Sequence, residues 1–195
     1  MNQTEPRLPP RSSLARAANN GLFLAAYFTV LVVASGLSMY GLSAAAILVW
    51  AGVLYMPFFA YRLMRTGLAE CRFELSFLEL MVEGMASFFL GGLMPTLITY
   101  LALRYLCPDL IANTYDQTIS LLREAGTPDT DHLADTFDYI RKTYGIPTPV
   151  KVAAQTLWMI LMGGTILSLL ETIWLKIRFA SPASRERYYS SHPQN

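Results

Sequence analysis

Ala17–Tyr61 reads AANNGLFLAAYFTVLVVASGLSMYGLSAAAILVWAGVLYMPFFAY, 45 residues without one charged side chain. A helix rises about 1.5 Å per residue and the hydrocarbon layer is about 30 Å thick, so roughly 20 apolar residues cross it once. The run is too long for one crossing and suits two, with a turn at Ser38-Met39-Tyr40-Gly41-Leu42-Ser43. Two further uncharged runs, Gly84–Leu103 (20 residues) and Val152–Leu170 (19 residues), supply one span each. The expectation is an all-α membrane protein with four transmembrane helices, over about 20–39, 44–62, 80–105 and 150–175. They belong to a membrane domain 17–180, flanked by tails 1–16 and 181–195 that read as disordered from Pro6, Pro9, Pro10, Ser12 and Ser13 and their like.

Composition agrees: 53% of the 195 residues are hydrophobic and 15% charged, with a mean hydropathy of +0.35. A soluble helix needs a polar face, whereas Leu22–Val33 and Ala44–Ala60 are apolar nearly all round, so these helices face lipid. The net charge is +1 and no basic stripe interleaves with aromatics, so no nucleic-acid partner is expected.

Orientation follows from Lys and Arg. Arg7, Arg11 and Arg16 precede the first span, Arg62, Arg65 and Arg72 lie between the second and third, and Lys176, Arg178, Arg185 and Arg187 follow the fourth. The other side receives an uncharged turn and the 104–151 connection, whose five basic residues are diluted by seven acids. The positive-inside rule then puts both termini in the cytoplasm and 104–151 outside, with Tyr40, Tyr61, Tyr100, Tyr105 and Trp174 at the interfaces. A rival reading treats the first span as a cleaved signal peptide ending at Val33-Ala34-Ser35-Gly36, leaving three spans. In the four-span topology Cys71 and Cys107 are separated by the bilayer and cannot pair.

Within the spans, Pro57 and Pro95 each remove a helical hydrogen bond and are candidate kinks. Gly84, Ser87 and Gly91 form a small-residue stripe on the third span, and Gly164 and Ser168 repeat the spacing on the fourth, for close packing within the chain or between copies. Glu79, Glu83 and Glu171 all fall near one boundary of the hydrocarbon. They are a candidate ion or proton cluster, because ionisable groups in spans are costly. The alternative is a hydrated boundary group paired with Arg62, Arg65, Lys176 or Arg178.

The outer segment reads as an amphipathic helical hairpin over about 108–144. Pro108-Asp109 opens one helix with Leu110, Ile111, Tyr115, Ile119 and Leu122 on its stripe, ending at Gly126. Thr127 caps a second, with Leu133, Phe137 and Ile140 on its stripe, stopped by Gly145 and Pro147. Its acids are either a solvated surface or a docking face for a basic partner within 107–149.

No phosphate-binding glycine loop, nucleophile elbow or metal-ligand spacing is present, and His132 and His192 lie outside the spans on opposite sides. No catalytic residue, cofactor or metal is assigned, and the chain is expected not to be an enzyme. The segment Gly67–Glu74, the span Ser76–Tyr105 with Gly91-Gly92, and the exit Tyr105-Leu106-Cys107-Pro108-Asp109-Leu110-Ile111 resemble a Bacteroidota family of small four-helix membrane proteins. That family is catalogued only as a domain of unknown function, and the likeness covers roughly residues 20–178. The resemblance implies the fold and a bacterial inner (cytoplasmic) membrane, and carries over no site residue. By association with envelope glycosyltransferases, it implies an accessory role in cell-envelope assembly.

Three functions follow. The first is a non-catalytic accessory subunit that engages a membrane or periplasmic protein, or a second copy of itself. The alternative is a small transporter or lipid-carrier flippase using Glu79, Glu83 and Glu171, against which stands the lack of an inverted repeat. An intramembrane enzyme ranks last, for want of a nucleophile and base.

Overall fold

The structure, a computed structural model, describes residues 12–39 and 41–191. The Pro-rich stretch with Arg7 and Arg11, the interfacial Tyr40, and His192 lie outside the described residues. The helices are α1 (Ser13–Met39), α2 (Ser43–Glu70), α3 (Phe77–Leu101), α4 (Leu110–Glu124), α5 (Pro128–Tyr144), α6 (Pro149–Arg178) and α7 (Pro182–Ser191), with no strand among the described residues. A π-helical turn over Ala102–Leu106 extends α3, closed by the Cys107 amide donating to the Ala102 carbonyl at 2.8 Å.

Four of these, α1, α2, Phe77–Leu106 and α6, are long and apolar enough to cross a membrane. Their outward faces show why water is the wrong solvent. Trp50, Leu54 and Phe58 form one stripe of α2 and are each at least 70% exposed, and α6 exposes Trp158, Met159, Ile166, Leu170 and Ile177. Such a stripe marks a lipid-facing surface on a multi-pass membrane protein. α1 runs unbroken through Val33-Ala34-Ser35-Gly36.

The chain divides into two compact units, Met1–Pro95 with Leu157–Asn195, and Thr96–Thr156. In the first, α1 and α3 run parallel with their backbones close: a Cβ on Gly21 would sit 2.8 Å from Leu90 Cβ, and one on Gly91 would sit 2.7 Å from Leu24 Cβ. α6 packs antiparallel on α3, with Ser168 beside Gly84, Phe88 beside Gly164, and Ile160 beside Gly92. Leu24, Ala60 and Phe88 join three helices in one buried cluster. A second cluster, Met64, Leu68, Ala69, Phe73, Leu80, Leu175 and Phe179, closes the other end. Small residues admit the backbones, and large ones fill the space around them.

Among the described residues, helix reaches into both stretches read as tails. α1 begins at Ser13, inside the 1–16 stretch, because Arg16 and Asn20 on its first turns are buried. The last stretch is helical over Pro182–Ser191, opened by Ser181, whose Oγ accepts from the Ser184 amide. Tyr188 meets Phe73 and Phe179 edge-on at 5.5 and 5.9 Å, Arg65 lies over its ring at 4.9 Å, and Arg185 donates to the Phe179 carbonyl. Polar composition hid this aromatic anchor. It holds a turn in which Arg72 and Phe73 adopt φ of 53° and 64°, a left-handed pair costing on the order of 1–3 kcal/mol each unless the surroundings fix it.

In the second unit α4 and α5 pack on one another. Ile119 and Ala134 are buried, the Tyr115 and Phe137 rings meet edge-on at 6.4 Å, and Asp116 pairs with Arg141. Thr127 and Thr130 exchange side-chain-to-backbone bonds in a capping box at the start of α5, and Gly145, at φ 71°, ends it.

Candidate functional site

The polar atoms of the first unit gather in two places. On α1, the Arg16 guanidinium grips the Glu83 carboxylate of α3: Nη2 donates to Oε2 at 2.6 Å, and Nε donates to both carboxylate oxygens at 3.1 Å. Both side chains are 5% exposed or less. Gly67 of α2 makes the room, since a Cβ there would stand 2.9 Å from Glu83 Oε1. A cavity of about 100 Å³ lies beside the pair, its polar wall formed by Arg16, Asn19, Asn20, Thr66, Gly67 and Glu70. The pair is self-neutralising and held on both sides, which makes it a lock between α1 and α3 rather than a free charge.

The second place is on α6. Ser168, Glu171 and Thr172 share one helical stripe, and all are buried, Glu171 at 6% exposure and the others at 0%. Neither oxygen of Glu171, nor Ser168 Oγ, nor Thr172 Oγ1, has a hydrogen-bond partner among the described residues. Ser168 fixes the position of the stripe, because its Oγ lies 2.7 Å from where a Gly84 Cβ would be. One turn beyond Glu171, the fully buried Leu175 packs with Met64, Leu68 and Leu80.

The three glutamates therefore occupy three different environments. Glu79 is exposed and caps α3: its Oε2 accepts from the Ser76 amide at 2.8 Å while its own amide donates to Ser76 Oγ at 3.2 Å. Glu83 is paired, and Glu171 is buried without a partner. Among the described residues no group of three or more His, Cys, Asp and Glu side chains is placed to hold a metal ion. The partner of Glu83 is Arg16, rather than Arg62, Arg65, Lys176 or Arg178. Lys176 donates to the Leu75 carbonyl and Arg178 to the Tyr61 hydroxyl.

The small residues serve two seams. Gly84, Gly164 and Ser168 lie between α3 and α6, while Gly91 packs on Leu24 of α1. Ser87, which is buried, returns its hydroxyl to the Glu83 carbonyl at 2.8 Å. Pro57 lies within α2 and is exposed, Pro95 lies within α3 and is fully buried, and neither lines the cavity beside Arg16. Cys71 and Cys107 both remain thiols. Burial pushes the Cys71 thiol, in the turn after α2, above the usual thiol range, against the opposing pull of Arg16.

Sequence reasoning missed Arg16 and the hydroxyls of α6. Arg16 sits immediately before an uncharged run and reads as a topology signal. The Ser168, Glu171, Thr172 spacing of three and four was the available sign that an acid and two hydroxyls share a face.

No curated protein and no solved structure matches this chain. Residues 19–176, which take in Glu83 and the Glu171 stripe but not Arg16, match the family described as Protein of unknown function (DUF4199), and the chain belongs to that family.

Proposed function

We propose that the protein is a non-catalytic accessory subunit of the bacterial inner membrane, with both termini cytoplasmic, that presents the α4–α5 pair outside to a protein partner in cell-envelope assembly. One observation carries the reading. α4 and α5 hold each other through their own ring contact and ion pairs, yet leave Leu121, Leu133, Tyr139 and Tyr144 between 49% and 77% exposed. Large apolar and aromatic side chains left exposed on a folded extramembrane element fit a contact surface. Charge gives the partner's character: Asp109, Glu124, Asp129 and Asp131 have no ion-pair partner among the described residues, which suits a basic surface carrying apolar anchors. The sidedness rests on the Lys and Arg distribution.

The test is affinity purification in mild detergent of the wild type and of a Leu133→Glu/Tyr139→Glu variant, with helix content checked by circular dichroism. The expected result is a stoichiometric partner that the variant loses while remaining helical. Recovery of the chain alone from its native membrane would reject the reading.

A further inference from the structure

We propose that Ser168, Glu171 and Thr172 form a binding site for one alkali-metal cation, of which sodium is the probe, inside the packed first unit. The proposal stands independently of the partner-binding reading.

An isolated carboxylate in a low-dielectric interior carries a large desolvation penalty, so it must be neutralised by a cationic side chain, a proton or a bound ion. Among the described residues no Lys or Arg forms an ion pair with Glu171. Arg16 is committed to Glu83, Lys176 to the Leu75 carbonyl, Arg178 to the Tyr61 hydroxyl, Arg185 to the Phe179 carbonyl, and Arg65 to the Tyr188 ring. The residues that pack about this stripe, Met64 and Leu68 of α2 and Leu80 and Gly84 of α3, bring no charge. Glu83, the one acid nearby on the buried face of α3, is already neutralised by Arg16.

The hydroxyls decide between proton and ion. Three hydroxyls on α3 and α6 turn back onto their own backbone, Ser87 to the Glu83 carbonyl, Thr156 to Val152 and Thr165 to Leu161, at 2.8 to 3.0 Å, whereas Thr29 of α1 is a buried hydroxyl that finds no partner. Turning back is the usual resting state of a helical hydroxyl. Ser168 and Thr172 do not do this, and with both carboxylate oxygens they leave four buried oxygens on one stripe without partners. A proton on Glu171 removes the charge and supplies one donor for four oxygens, whereas a cation bound on the stripe would neutralise the carboxylate and accept lone pairs from several of them. The donor set is hard oxygen with one negative charge, which suits a monovalent ion. Divalent ions take several carboxylates, and softer metals take sulfur or imidazole.

Thermal unfolding of the full chain in mild detergent, at fixed pH and ionic strength, with NaCl or KCl replacing choline chloride, tests the site. The wild-type midpoint is expected to rise with the logarithm of the alkali concentration, as linkage requires for an ion bound only by the folded state. Glu171→Gln abolishes the response, and Ser168→Ala and Thr172→Val shift it to higher salt. Should Glu171→Gln fail to fold, the readout becomes radioactive sodium binding to the wild type, expected to saturate at one ion per chain and to weaken in Thr172→Val. Equal midpoints in choline and alkali salts, or no saturable sodium binding, would overturn the proposal. So would a response that persists in Glu171→Gln, or a wild type whose stability follows pH while ignoring alkali ions, which would assign a protonated carboxyl instead.

Discussion

Arg16 and Glu83 each bury a full charge, and each is tolerable only because the other is there. Arg16→Met or Glu83→Leu alone leaves the remaining group uncompensated and is expected to cost about 3–5 kcal/mol. The double variant Arg16→Met/Glu83→Leu is expected to recover most of the loss, because a well-packed apolar pair is about neutral against a buried ion pair. Thermal unfolding in detergent of the three proteins closes that cycle, and additive losses would show that the two residues do not act as a pair. Neither residue advertised the other, since 67 positions separate them and no helical spacing spans that distance. Glu79 carried a local sign that its grouping with Glu83 and Glu171 passed over, because Ser76-Phe77-Leu78-Glu79 is a capping pattern with its acid three residues on. Cys71 offers a separate check. Its thiol is held above the usual range by burial, so less of it is thiolate at neutral pH. Alkylation of Cys71 is expected to lag behind a model thiol at pH 7 and to catch up only as pH rises past the ordinary thiol value. Equal rates at neutral pH would count against that burial.

Neighbouring glycines of one helix have opposite duties. A Cβ on Gly164 would stand 2.3 Å from the ring of Phe88, whereas one on Gly163 meets nothing within 4 Å. Phe88 is fully buried and cannot swing aside. Gly164→Ala is therefore expected to destabilise by roughly 1–3 kcal/mol through overpacking. Gly163→Ala should be neutral or gain up to about 1 kcal/mol from helix propensity. A matched pair of melting curves decides it, and a harmless Gly164→Ala would refute the close α3–α6 seam. At this scale the long apolar helices were readable from uncharged runs alone. Their partners were not: small residues say that something approaches closely, but not which helix, and Gly91 turned out to face α1 while Gly84 faces α6. α7 escaped notice because composition averages over a segment, while one aromatic residue, Tyr188, is enough to anchor it when Phe73 and Phe179 are waiting.

For the whole molecule, the charge map carried the count of spans, since four helices are long and apolar enough to cross. In a Cys71→Ser background, an impermeant maleimide applied to intact spheroplasts is expected to label Cys107, and labelling only after lysis would invert the topology. What no charge map displays is the interior, where an ion pair and a stripe of bare oxygens sit among residues that otherwise read as grease. The ion pair also has a history within each molecule's synthesis. Arg16 leaves the ribosome 67 residues before Glu83, so during that interval its guanidinium has no buried counter-charge and is best solvated among lipid headgroups. The first helix can seat fully only once the third has emerged. A nascent chain stalled short of Glu83 would carry an unlatched hairpin, open to membrane quality-control proteases until translation resumes.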